Sequence, residues 1–465
     1  MTYTPTQGTR PGAPGPRAVG VRRRAWAENA HRIRTATTTE PGRLRLIGAA
    51  LSVLVVAFGA VTAWQITDRA TAADHVVHHS APLSADAAEI YRSLADADAT
   101  ITGGFLVGGA QPRDVTDRYQ QDIATAARLI TQAAASSEGS GEAAAQIASL
   151  NRQLADYTDK VATARADNRL GYPLGGAYLR YSDTEMQSGM LPAANRLYLI
   201  ETERLNRDYA DAKALPWAAW VLGALALVAL VWAQRRHYRR THRVFNQGML
   251  AASGACAVVL LWVVAGHTLA RGQLSDSYTH GAKSMQVLNT ARIGVLQARG
   301  DENLTLVARG SGGQYEANFE DEMRKLAGQD PQGVGGQLAQ ALALADNEAG
   351  RAPVNAAIDS MRIWRARHTA ARASDNGGDY TTAVAEVIGG ENSSHQVVTD
   401  TTEVCFDKVD TSLGQAIARE QTEFRQAADN GRGSLSLLPA GAALLAVLAA
   451  AGAALGIARR LSEYR

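Results

Sequence analysis

The chain has 465 residues, 20% of them charged and 6% aromatic, and a formal net charge of +2. Two cysteines, Cys256 and Cys405, are too few for a disulfide framework, and the balanced charge excludes a nucleic-acid-binding class for the whole chain. Four apolar runs without Asp, Glu, Lys or Arg, residues 46–66, 215–233, 249–269 and 435–457, exclude an ordinary soluble protein, because each is long enough to cross ~30 Å of hydrocarbon as a helix.

In chain order, residues 1–45 come first. Pro, Gly and Thr dominate there, with Arg22-Arg23-Arg24 and few apolar residues. Such a segment cannot offset its ordering entropy by burial, so a disordered basic tail is expected. The first span, 46–66, is followed by Ala70-Thr71-Ala72, which looks like a signal-peptidase site. The apolar run is too long for a signal peptide and follows a long tail, so it reads as a retained span. Residues 67–214 then read as helices. Ile147, Leu150, Leu154, Tyr157 and Val161 form a heptad seam. Another helix starts near Pro112 and buries Val115, Tyr119, Ile123, Ala126 and Ile130. With a first helix through Ile90, Leu94 and Ile101, and a last through Leu191, Ala194, Tyr198 and Leu205, an up-down-up-down four-helix bundle is predicted.

The second span, 215–233, leads into an Arg-rich loop, 234–248, and the third, 249–269, into residues 270–434. This second segment repeats the plan. Its first helix carries Leu288, Val295, Leu304 and Leu306, its second Phe319, and its third Ile358, Met361 and Trp364. After the break at residues 374–378, a fourth helix is expected through Val398, Cys405, Val409 and Ala416. Two string pairs agree across the halves. FLVGG ends at Gly109 where LVARG ends at Gly310, and Tyr157 precedes Ala164-Arg165-Ala166 as Trp364 precedes Ala371-Arg372-Ala373. Together with the span–domain–span layout they point to an internal duplication. The fourth span, 435–457, leaves a tail at 458–465. The fold expected is therefore an all-α integral membrane protein with four transmembrane helices and two extracytoplasmic four-helix bundles in tandem.

Charge sets the orientation. Lys and Arg outnumber Asp and Glu nine to two in residues 1–45, five to none in 234–248 and three to one in 458–465. They are outnumbered fourteen to twenty in 67–214 and sixteen to twenty-two in 270–434. The positive-inside bias puts both termini and the 234–248 loop in the cytosol of a multi-pass plasma-membrane protein. The cytosolic pieces are too short and scattered for a catalytic domain, so a non-enzymatic protein without cofactor, metal or catalytic residues is expected.

Several residues stand out. Arg235, Arg236, Arg239 and Arg240 form the densest charge run, a topology determinant on anionic lipid that could also dock a cytosolic effector. Arg299 and Glu302, three apart and near Asp301 and Arg309, read either as a salt-bridged surface or as a partner- or ligand-contacting patch. Gly452 and Gly456 form GxxxG, a close helix–helix contact within the chain or between subunits of a homodimer. Cys405 reads as core packing, with a dimer-linking disulfide as the alternative. Asp74, His75, His78 and His79 lack a second ligand pair and read as a solvated interfacial stretch. No Asp, Glu, Lys or Arg sits in a span, and His267 lies at an outer edge, which argues against a pump or coupled transporter.

A span, a helical bundle and a returning span resemble the sensory half of bacterial chemoreceptors, here without that family's signalling domains. EIYRSLADADAT at 89–100, GYPLGGAYLR at 171–180 and RRTHRVFNQGMLAA at 239–252 resemble actinobacterial membrane proteins of the GlnX type. That resemblance implies a protein joining an extracytoplasmic amino-acid-binding lipoprotein to a soluble Ser/Thr kinase, protein kinase G, inside. A sensor that relays an amino-acid or binding-protein signal is the function expected, with a structural envelope scaffold, or a channel or transporter, as alternatives.

Overall fold

A computed structural model describes residues 40–109, 111–136, 141–241, 247–329, 335–436 and 438–462. The tail through residue 39, the break at 137–140, the loop residues 242–246, the segment 330–334 and the last three residues lie outside the described residues. In chain order the helices are α1 (Glu40–His75), α2 (Ala81–Leu106), α3 (Arg113–Ser136), α4 (Gly141–Arg169), α5 (Leu174–Glu185), α6 (Leu191–Lys213), α7 (Trp217–Thr241) and α8 (Gln247–Asp276). They continue with α9 (Lys283–Val307), α10 (Gly313–Ala327), α11 (Gly336–Leu344), α12 (Glu348–Asn376), α13 (Tyr380–Ile388), α14 (Thr402–Ser436) and α15 (Leu438–Ser462). Three π-helical turns join neighbours without a loop: Val76–Ser80, Met186–Met190 and Ser277–Ala282.

The chain forms two compact units: Met1–Ile66 with Pro216–Ala265 and Leu438–Arg465, and Thr67–Leu215 with Gly266–Leu437. Three helical stretches, Arg45–Leu106, Leu174–Arg236 and Gln247–Val307, are long and apolar enough to cross a membrane, and Ala440–Leu455 is a shorter apolar helix. In the first unit Val53, Trp64, Val228, Leu261 and Leu444 are exposed, as suits side chains facing hydrocarbon. Small residues let its helices approach. A Cβ on Gly59 would lie 2.1 Å from that of Ala446, and one on Gly223 would lie 2.7 Å from the Phe58 ring. Gln65 Oε1 accepts the Ala219 N–H at 3.0 Å, satisfying a donor that the first turn of α7 leaves free. Residues 40–45, read as tail, belong to α1, where Pro41 suits the first turn.

In the second unit the heptad residues Ile147, Leu150, Leu154, Tyr157 and Val161 are all buried on α4. α2 and α9, the first helices of the two halves, are buried nearly all round because they also pack on each other. One hydrophobic core therefore runs from Ile90 and Leu150 in the first half to Leu304 and Trp364 in the second. Each helix ends on left-handed backbone: Gly108 and Gly109 have φ of 71° and 65°, and Arg309 and Gly310 have φ of 41° and 87°.

The region before α14 departs from the expected single helix. Gly389 and Gly390, at φ 90° and 112°, stop α13. Strands β1 (Gly390–Glu391) and β2 (Val397–Val398) pair antiparallel, so Val398 lies in a strand, and the last long helix begins at Thr402.

Candidate functional site

Arg299 and Glu302 pair as their i,i+3 spacing predicts, but not at the surface: their relative exposures are 3% and 1%, because α9 packs against α2, α10 and α14. Glu302 is a hub. It accepts from Arg299 at 2.8 Å, Thr402 Oγ1 at 3.0 Å, Trp364 Nε1 at 3.1 Å and His368 Nδ1 at 2.9 Å. His368 Nε2 lies 3.1 Å from Glu316 Oε1, and Arg372 pairs with the same carboxylate at 2.9 Å. Burial opposes charge on His368, but the two carboxylates prevail and raise it to about 9. Burial likewise opposes charge on Glu302, yet the His368 hydrogen bond and the Arg299 charge hold it below the usual range.

The first half has a counterpart. Tyr157, which matches Trp364 in the aligned strings, donates to Asp98 at 3.1 Å, and Arg165 donates to Thr116 on α3 much as Arg372 meets Glu316 on α10. Among the described residues no arginine is paired with Asp98. Burial and the neighbouring Asp183 push Asp98 well above the ordinary range, burial raises Asp183 to about 6, and burial raises Asp301, across the α2–α9 seam, to about 8.

Beside these clusters, α2, α3, α9 and α14 enclose a cavity of about 430 Å³. Asp96, Arg118, Arg299, Asn303, Glu403 and Asp407 supply its polar wall. Asp96 accepts from Arg118 at 2.9 Å, Arg92 at 3.2 Å and Thr100 at 3.4 Å. Arg118 lies 3.7 Å from Asp407, and Arg299 lies 3.9 Å from Glu403. Both guanidiniums stand near the Phe406 ring, at 6.0 and 5.7 Å from its centroid. Asn303 Nδ2 donates to the Ala99 carbonyl at 3.2 Å, and the buried Oδ1 accepts no hydrogen bond among the described residues. Such a cavity can hold a small polar molecule, and its walls come from both halves.

The remaining candidates fall elsewhere. Arg235, Arg236 and Arg239 extend α7 as helix, and Arg236 stands 5.3 Å from the Trp232 ring; the Arg240 side chain lies outside the described residues. A Cβ on Gly452 would lie 3.3 Å from the Gly248 carbonyl of α8, and Gly456 follows in the same helix, α15. Asp74 pairs with Arg432 at 2.7 Å and His78 at 3.3 Å, and the His75 and His79 ring centroids are 6.0 Å apart. Cys405 is buried and takes a contact from Arg367 at 3.3 Å. Of the cavity wall, only Arg299 was singled out in advance. Asp96 and Asp98 inside the apolar run of α2, and His368 one turn beyond Trp364, were signals that could have found the rest: ionisable groups on faces the apolar periodicity assigns to a core.

No curated protein and no solved structure matches the chain. Residues 72–210, from the last turn of α1 to α6, match the family model of an actinobacterial sensor domain, which indicates a sensing role.

Proposed function

We propose that this chain is a non-enzymatic, four-span membrane sensor that receives an extracytoplasmic signal and relays it to a cytosolic effector, a soluble Ser/Thr protein kinase. In this reading α15 is the fourth span, the halves are a duplicated span–bundle–span unit, and both termini with the 234–248 loop face the cytosol. The signal is an amino acid or its binding protein. The observation that carries the reading is the sensor-domain match over residues 72–210, within which α2 and α3 supply part of the cavity wall.

The duplication is supported by details beyond the strings. The π-helical turns Val76–Ser80 and Ser277–Ala282 begin 201 residues apart, the same offset that separates Gly109 from Gly310. Such turns are insertions that recur at functional sites, and two at one offset are hard to reach by chance. Occupation of the cavity would change the packing of α2 on α9, and these helices continue through the π-helical turns into α1 and α8. The Arg run at the end of α7 supplies the docking charge on the cytosolic side.

The test reads effector activity. Purified kinase is added to right-oriented proteoliposomes containing the full chain, and its activity is measured with and without extracytoplasmic amino acids and their binding protein. Replacement of Arg235, Arg236, Arg239 and Arg240 by Gln, with insertion verified, should abolish the response. An undiminished response in the correctly inserted variant would remove the docking role, and no response from the parent chain would reject the relay.

A further inference from the structure

α4 and α5 meet in a tight turn that carries an uncovered apolar face beside an unbalanced positive one. The Tyr172 N–H donates to the Asp167 carbonyl at 2.9 Å, and Gly171 takes a φ of 75°. A Cβ on Gly175 would lie 2.9 Å from the Ala164 carbonyl, so the start of α5 is pressed onto the last turns of α4. α5 buries Gly175, Leu179, Ser182 and Asp183 and turns its other side out. Leu170, Tyr172, Leu174 and Tyr181 are 65%, 58%, 59% and 64% exposed. Tyr178, between Leu174 and Tyr181 on the same stripe, stands edge-on to Tyr181 at 6.4 Å. Large apolar side chains gathered this closely in water mark a docking face, and tyrosine is enriched at the centre of such faces.

The charge beside this face is unmatched. Arg113, Arg165 and Arg169 line a groove of about 260 Å³ between the start of α3 and the end of α4, with Asp117 in the same wall. Among the described residues none of the three arginines pairs with a carboxylate, and Arg165 donates to the Thr116 hydroxyl at 2.9 Å. The second half treats its matching arginine differently. Arg372 is held between Glu316 and Asp375, whereas Thr116 and Asn168 stand in those places around Arg165. The fold neutralises this arginine in one half and leaves it to an outside counter-charge in the other.

Three kinds of occupant fall away. The helical run from Leu174 to Lys213 sets the turn ~60 Å from the residues that lead into α7, out of reach of lipid headgroups. A second copy docking on the same face about a two-fold axis would bring arginines against arginines. A free inorganic anion would use the groove and leave the tyrosines bare.

We propose that the α4–α5 turn docks a folded extracytoplasmic protein whose apolar contact face is rimmed by Asp and Glu. Tyr172 and Tyr181 pack on that face, and Arg165 and Arg169 meet its rim. This docking face presupposes the reading of the chain as a sensor and names the chemistry of what it receives. A partner seated on α5 loads a helix that runs through the π-helical turn Met186–Met190 into α6.

The experiment is site-specific photocrosslinking of the full chain in its own cells, with p-benzoylphenylalanine placed at Tyr172, at Tyr181 and, as a control, at the exposed Asp359 of α12. Irradiation is expected to join one partner protein to 172 and to 181 but not to 359, with mass spectrometry placing the link beside partner carboxylates. Arg165→Glu combined with Arg169→Glu should lower the adduct yield about tenfold or more, and exchange of those partner carboxylates for Lys should restore it. Melting of the purified double variant checks its folding, and Arg169→Glu alone, on an exposed side chain, should act in the same direction. An adduct with a second copy of the chain, no adduct at either tyrosine position, or a yield that charge reversal leaves unchanged would overturn the proposal. A kinase response that persists in the charge-reversed chain would remove this surface as the input and leave the relay standing, whereas crosslinking without any kinase response from the parent chain would reject the relay alone.

Discussion

Glu302 takes four donors in a site closed to water, two of them charged. Removing it by Glu302→Ala leaves Arg299 and His368 buried without their shared counter-charge, a loss of about 3–5 kcal/mol. Trp364→Phe removes one of the four donors and should cost about 1 kcal/mol beyond any packing change. Chemical unfolding of nanodisc-held protein compares the two, and equal losses would mean that Glu302 is not the hub. Protonation makes a second test. His368 is raised from its ordinary value to about 9, so its contribution is full below pH ~6.5 and is lost as pH rises toward 9. Asp301 is raised to about 8, so the folded state holds its proton more tightly and loses that advantage as pH climbs from ~4 to 8. Both signs agree. The melting temperature should fall from pH 6 to pH 9, and His368→Gln should flatten the fall above pH 7. At this scale the sequence was partly legible. The i,i+3 spacing of Arg299 and Glu302 is plain, but their burial depends on α2 packing from 200 residues away, which no local pattern records.

Helices were the most legible level. The 3–4 spacing of Leu150, Leu154 and Tyr157 placed α4 and its buried face, because a helix must present such residues to a core. Leu154→Ala should therefore cost ~2–5 kcal/mol, whereas Arg152→Ala, exposed two residues away, should change stability by less than ~0.5 kcal/mol. Denaturant midpoints settle the register, and similar shifts would contradict it. The segment before α14 departs from the helix that its apolar spacing predicts, and Gly389-Gly390 is the reason. Two consecutive glycines at positive φ end a helix whatever the apolar spacing beyond them. The π-helical turns were invisible, since an inserted residue leaves no compositional mark. In the apolar unit, Gly59→Val should clash with Ala446 and impair assembly, whereas Gly254→Val, with open space around its Cβ position, should be tolerated. Yield of monodisperse protein in detergent checks the pair.

For the whole molecule, charge and hydropathy read the chain as apolar runs alternating with helical domains, and the chain folds as two compact units. The common core of the two halves leaves no patterned stripe to read, since α2 and α9 meet through small residues such as Gly103, on which a Cβ would lie 3.1 Å from Asn303 Nδ2. The proposed relay requires the helical unit to face outward and the Arg run to face inward. Single cysteines tested with a membrane-impermeant maleimide on intact cells address this directly. They are placed at Asp156, at Asp359 and at Tyr238, all exposed, in a chain whose Cys256 and Cys405 are replaced by Ala. Labelling at 156 and 359 on intact cells, and at 238 only after permeabilisation, is the expected result. Labelling at 238 on intact cells, or protection of 156 or 359, would contradict that orientation.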